Sequence, residues 1–507
     1  MKQTLLIAFL VAAFVSVRAQ GQDAKTAVDA AAAALGAASL KTVQYSGWGY
    51  DYVFGQAYNG DARWPRFNLP GVTMTIDFAA PAMRDDRRRT QVEDPPLGGG
   101  FQPLFGEQRL IAVVSGSYAW DMVGDGAVVP GFRNDRQTNV QGRTDQIWMT
   151  PHGFIKLAMS SPPAVRTETI RGAQKTILTV THPAYGRFEG TLDAQNLVER
   201  IDRWFPHSVL GDALMEATFS DYKDFASAAT AQGSGSVKFP TRIQQREGGY
   251  PLLDLTVTDV RVNPAVAIEV PANIRNAPAP GPMVGTPEKV AEGVWVLPAY
   301  AKSVAVEFRD YVAVIEAAET EAQSIETIDA VKKVIPGKPI RYLINTHSHF
   351  DHIGGMRAFA AEGATIVTHH GNIAYYQSLW ANPRTIAPDR LSRSGRAAAF
   401  EGVVGNRMLT DGARRLMIHH YPGNMHNSGM LLVYLPKEKI LVEADSFSPP
   451  AVPLTAPPHA LVNLQHFYDS VQRLQLDVEQ VIPIHGRLTT LDEAREILER
   501  FGKNQTK

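Results

Sequence analysis

The 507-residue chain contains no cysteine. Disulfides are thereby excluded, and thiolate is removed from the possible metal ligands, so any ion must be held by imidazole and carboxylate. An excess of charge is missing too: 50 Lys and Arg stand against 51 Asp and Glu, for a net charge of −1. That balance gives no electrostatic reason to bind nucleic acid or an anionic membrane surface, both of which select cationic proteins. Long apolar runs are equally scarce. Beyond the first 15 residues none is long enough to cross a bilayer, so no stable membrane span is expected.

The one early apolar run has the pattern of a secretory signal. Lys2 supplies the positive start, Leu5 to Val15 the apolar stretch, and Val17-Arg18-Ala19 the small residues at the cleavage positions. Residues 1–19 are therefore expected to be a signal peptide, with Gln20 as mature start and a periplasmic or secreted location. Lacking cysteine, the chain has no lipid attachment site of the bacterial lipoprotein type.

At this length two or more domains are expected. Residues 20–275 begin with an Ala-rich, helix-favouring segment, Asp23 to Leu40, and then become β-rich. Val72, Met74, Ile76 and Phe78 alternate with polar residues, the period of a strand with one covered face. Similar runs recur at Leu110–Val114, Lys175–Val180, Val198–Trp204 and Leu253–Val260, which predicts a mainly antiparallel sheet. A helical pattern, Ile147 to Ala158, interrupts them; Gly98-Gly99-Gly100 and Ala226–Gly235 read as loops. The run Val237–Ile243 followed by Leu255–Asn263 resembles the closing strands of the lipoprotein-carrier (LolA/LolB-like) half-barrels, a likeness of texture. No polar constellation marks a site in this half, so a packing module is the favoured reading over an acyl-chain binder. Residues 276–286, with Asn276-Ala277-Pro278-Ala279-Pro280-Gly281-Pro282, form a Pro-rich linker. Across residues 287–505 strands and helices alternate, which indicates an α/β domain ending in an amphipathic helix, Leu491–Phe501.

The densest chemistry lies in Asn345-Thr346-His347-Ser348-His349-Phe350-Asp351-His352-Ile353-Gly354-Gly355. A short buried strand, Ile340–Ile344, precedes it and a helical pattern from Met356 follows, so the cluster sits on a strand-to-helix loop. On an extended segment His347 and His349 point the same way and can share one ion. Asp351 and His352 follow as the chain turns and can face a neighbouring ion. Imidazole with carboxylate suits a borderline metal such as zinc.

This stretch resembles the signature of the metallo-β-lactamase-fold hydrolases. That family's remaining ligand positions match His426 in Tyr421–Gly429, Asp445 after Lys439–Ala444, and His485 after Val481–Ile484. The resemblance covers roughly residues 287–500 and implies an αβ/βα sandwich with two zinc ions. His347, His349 and His426 would hold one ion, Asp351, His352 and His485 the other, and Asp445 would bridge them. One departure is visible: Glu316 stands where the family carries an early Asp that supports the ligands.

The ligand set resembles that of glyoxalase II, lactonases and phosphodiesterases. Glu replaces His349 in the oxygen-reducing di-iron members, and Cys or Ser usually replaces Asp445 in the β-lactamase branches. The resemblance therefore implies a zinc-dependent hydrolase using a metal-bound hydroxide on an ester, thioester, lactone or related small-molecule substrate, with Asp351 as a catalytic residue orienting the nucleophile. The alternatives are a β-lactamase or phosphodiesterase branch, or a module that binds metal for ligand binding or assembly without catalysis. His369, His370, His419 and His420 end strands and read as surface or supporting residues; His459 and His466 carry no assigned role. Arg384, Arg390, Arg393 and Arg396 lie in an insertion that either covers the cleft or is solvated.

Overall fold

A computed structural model describes residues 24–100, 102–123, 127–130, 140–226, 236–278, 282–450 and 461–502. The expected signal segment, most of the Ala226–Gly235 loop and His459 lie outside them. No helix among the described residues is long and apolar enough to cross a membrane.

The N-terminal half is one antiparallel sheet of 13 strands. Two meanders run outward from its centre, where the first strand, Thr42–Tyr52, pairs with the last, Tyr250–Val262. Val43, Tyr45, Phe67, Leu69 and Ile76 point inward along the alternating faces, as the period of two requires. The predicted helix from Ile147 to Ala158 is two helices, Val140–Trp148 and Pro151–Ser160. Proline cannot continue a helix, but it starts one well: Pro151 follows Thr150, whose hydroxyl caps the Gly153 N–H. The first helix packs on the strands Ala82–Gln91, Gln108–Ser115 and Tyr118–Val123; the second packs on Ala173–His182 and Val198–His207. Since these strands belong to opposite halves of the sheet, the sheet bends around the helix pair.

The C-terminal half stacks two sheets. Seven strands run from Glu288–Ala291 to Ala399–Val403, antiparallel at first and parallel from Val312–Ile315 onward. Five strands, from Asn406–Thr410 to Gln480–Pro483, form the other. Val304, Val306, Ile315, Ile344, Val433, Val442 and Ile482 fill the space between them. Helices Glu321–Val334 and Met356–Glu362 cover the outside of one sheet, and Leu461–Arg473 and Leu491–Phe501 the outside of the other. The result is an αβ/βα sandwich. The strand Ile340–Ile344 and the helix Leu491–Phe501 have the bounds the sequence predicts.

The halves share an aromatic contact that reaches the histidine-rich loop. Phe350 packs edge-on against Phe54 and Trp64, at centroid distances of 5.3 and 5.9 Å. Gly55 is required below it: its φ is +69°, and a Cβ there would lie 2.3 Å from the Phe350 ring. On the other side the insertion 382–386 grips the turn before strand Gly211–Ala226. Arg384 donates to the carbonyls of His207, Ser208 and Val209, and Asp212 accepts from Thr385.

Candidate metal centre

The histidine-rich loop leaves the buried strand Ile340–Ile344 and runs into the helical turn Phe350–Ile353. Gly354 passes close to the neighbouring backbone, where a Cβ would lie 1.7 Å from the Glu319 carbonyl. Four residues thus sit at the end of one strand. His426 comes from the turn between Arg415–His420 and Leu431–Leu435, Asp445 from the end of Ile440–Glu443, and His485 from the end of Gln480–Pro483.

All seven residues converge. His347, His349, His426 and Asp445 offer donor atoms within 4.8 Å of one another, and so do Asp351, His352, Asp445 and His485. Asp445 is common to both groups. Its Oδ2 lies 3.1 Å from His347 Nε2 and 3.0 Å from both His352 Nε2 and His426 Nε2, while its Oδ1 lies 3.5 Å from His485 Nε2. One carboxylate therefore faces both halves of the cluster.

The outward nitrogens of three imidazoles are hydrogen-bonded and that of His352 faces a carboxylate, which fixes the rings. His347 Nδ1 is 3.0 Å from Thr346 Oγ1, His349 Nε2 is 2.9 Å from the Ala57 carbonyl, and His485 Nδ1 is 3.1 Å from the Tyr300 carbonyl. His352 Nδ1 lies 3.1 Å from Glu316 Oε2, and Glu316 also holds Asn345 and Thr346. The longer Glu thus supports the loop from the position where the family carries Asp. His349 Nδ1 is left buried with no hydrogen-bond partner among the described residues. A buried, lone imidazole nitrogen beside other ligand atoms fits a metal ion.

The electrostatics agree. Burial pushes His347 down to about 4 and holds His349 well below the usual histidine range, so both stay neutral, the form that ligates. Burial opposes charge on Asp351 and Asp445, but the surrounding imidazoles, His352 foremost and His485 with it, together outweigh burial and hold both well below the usual carboxylate range. Backbone strain marks the same place: Glu316 and Asp445 have φ values of 69° and 60°, where non-glycine residues are uncommon. Buried Glu443 steadies the Asp445 turn by accepting from the Ser446 and Phe447 N–H groups.

The N-terminal sheet also reaches this cluster, which sequence reasoning missed. Gln56 Nε2 donates to Asp351 Oδ1 at 2.9 Å. The Ala57 carbonyl receives His349, and Asn427 as well. Gly98 donates to the Met425 carbonyl, and the Gly99 backbone passes so close that a Cβ would lie 2.9 Å from His349 Cε1. The Gly-rich loop expected at 98–100 therefore lies against the cluster. Of the remaining histidines, His369 makes tilted ring contacts with His370 and His420, and His466 meets the Pro422 carbonyl.

The C-terminal half is similar to known proteins. Residues 298–499 match the family described as "Metallo-beta-lactamase superfamily". A stretch of 164 residues, 32% of this chain, is 28% identical to 2,4-dinitroanisole O-demethylase subunit alpha of Nocardioides sp. (strain JS1661), and spans 46% of that protein's length. Among solved structures, a metallo-beta-lactamase from Pontibacter korlensis is 18% identical, aligning 44% of this chain with 100% of its own at a TM-score of 0.34. Another from Hirschia baltica is 20% identical, over 42% and 97%, at 0.31. Residues 298–499, two fifths of the chain, thus form a domain that matches the metallo-beta-lactamase superfamily.

Proposed function

We propose that this chain is an exported hydrolase holding two zinc ions and acting on an ester, thioester, lactone or related neutral electrophile. The observation that carries the reading is the pair of four-donor groups sharing Asp445. His347, His349 and His426 serve one position, Asp351, His352 and His485 the other, and the Asp445 carboxylate faces both. Imidazole and carboxylate without thiolate suit zinc, and a structural zinc site would be a closed set of four. Bound there, such ions would bring the pKa of water down to about 7 and polarise the bond to be broken.

The chain's own groups do the rest. Asp351 is held at Oδ1 by Gln56, and its Oδ2 lies 3.4 Å from both His352 Nε2 and His485 Nε2. In this reading it orients the attacking water and accepts its proton. The relative named as an O-demethylase acts, by its name, on an aryl methyl ether, so that bond belongs in the substrate panel.

Metal analysis of the purified protein, followed by hydrolysis of an ester, a thioester, a lactone and an aryl methyl ether with and without chelator, tests the reading. Two equivalents of zinc with chelator-sensitive turnover are expected. A zinc-replete protein inert to the whole panel would overturn this reading and leave the β-lactamase or phosphodiesterase branch and the metal-binding module. Export is tested by sequencing the mature N-terminus, with Gln20 expected; an intact Met1 on the soluble protein would overturn it.

A further inference from the structure

The N-terminal sheet encloses a cavity of about 360 Å³, within the range of small-molecule sites, about 300–1,000 Å³. Met83, Leu110, Ala112, Leu252 and Leu253 supply its apolar wall. Ala112 stands opposite Asp85 on one neighbouring strand and Asp121 on the other. The charges on this wall are matched in place. Arg87 Nη2 is 2.5 Å from Asp85, Arg143 Nη2 is 2.6 Å from Asp121, and Arg89 Nη1 is 3.6 Å from Asp51. Each arginine on this wall already faces a carboxylate, so a ligand carboxylate would meet negative charge beside each positive one, whereas a neutral apolar group meets no such repulsion.

The cavity borders on side chains that also reach the metal centre. Phe54 lines it and also lines a smaller space of about 80 Å³ shared with Gln56, Phe350 and Asp351. Tyr300, from the other half of the molecule, lines it too, and packs at 4.9 Å between ring centroids on His485. Phe54 and Tyr300 thus stand between the cavity and the two sides of the metal centre.

We infer that this cavity takes the unreacting body of the substrate, a neutral and largely apolar acyl or aryl group, whose scissile bond extends past Phe54 and Tyr300 to the metal centre. The sheet is then half of one composite site. The inference rests on the hydrolase reading for its chemistry, but binding can be measured without turnover.

The zinc-loaded full chain is assayed with 4-nitrophenyl acetate, butyrate and hexanoate and with the anionic 4-nitrophenyl hemiglutarate. In parallel, chelator-treated protein is titrated with N-(4-nitrophenyl)hexanamide by calorimetry. Full burial predicts a rise in kcat/KM of about fourfold per added methylene, with the hemiglutarate well below the hexanoate. The amide should bind saturably without metal. Ala112→Phe should weaken the amide at least tenfold and flatten the ester series while zinc content is retained. If that variant does not fold, Leu253→Ala serves instead, and its enlarged cavity should move the preference to longer chains. Amide binding without ester turnover would sink the hydrolase reading and leave the cavity's role standing. Turnover with no amide binding and no chain-length preference would overturn the inference alone, as would equal amide binding by a folded Ala112→Phe.

Discussion

Gln56 tests how far the metal centre depends on groups outside the histidine-rich loop. Its amide is a neutral donor to one oxygen of Asp351, leaving the other free to face His352 and His485. Gln56→Ala should lower zinc affinity at the second position by about 10–100-fold, the usual effect of losing a group that orients a ligand; competition with a chromophoric chelator reads it. Asp351→Asn should go further. It removes the charge, empties that position and lowers kcat far more than KM, because the lost interaction belongs to the transition state. Metal stoichiometry beside initial rates decides it, and full zinc with near-native turnover would count against Asp351. The seven converging residues were legible because His347 to His352 lie within one loop, Asp445 and His485 follow buried strands, and His426 sits in a Gly-bounded turn. Gln56 and Ala57 were not: the Ala57 carbonyl meets His349 across 292 residues, and a backbone carbonyl has no signature in sequence.

At the scale of elements, the turn through Gly55 and the helix Pro151–Ser160 carry opposite lessons. Gly55 looks like any loop glycine in sequence, yet it is fixed by its positive φ and by the Phe350 ring beneath it. Gly55→Ala should destabilise the protein by about 1–3 kcal/mol through overpacking and loosen the loop that carries Asp351; chemical denaturation and zinc affinity check both. In the helix, His152 is fully buried, reaches the Leu35 carbonyl at 3.3 Å and stacks on Phe239. Burial pushes it down to about 4 from 6.5. The folded state therefore keeps His152 neutral while the unfolded chain takes up a proton near pH 6.5. Stability should be unaffected above that pH and fall by up to about 3 kcal/mol as pH drops to 4. His152→Leu should flatten this part of the pH profile in urea titrations. Strand positions were legible from their period of two, whereas the break before Pro151 was hidden inside one continuous helical pattern.

For the whole molecule, the Pro-rich segment 276–286 suggests two units joined by a tether, yet the contacts between them are specific and polar as well as aromatic. Arg384, Asp212, Phe350 and Gln56 each find their partners across the boundary. A fragment beginning at Val284 would expose Phe350 and strip the carbonyl partners from Arg384. It should be poorly soluble, or bind zinc at least about tenfold more weakly than the full chain, the loss expected when supporting groups are removed; a soluble fragment with undiminished affinity would show that the sheet is dispensable to the metal centre. Sheet order has a further consequence, in time. Val43 pairs with Val262 at the centre of the 13-stranded sheet. At about 5–20 residues per second, the roughly 220 residues between them take about 10–40 s to synthesise. For that interval the first strand has its outer neighbour but not its inner one, and its open edge must be kept from other chains until the ribosome delivers the partner.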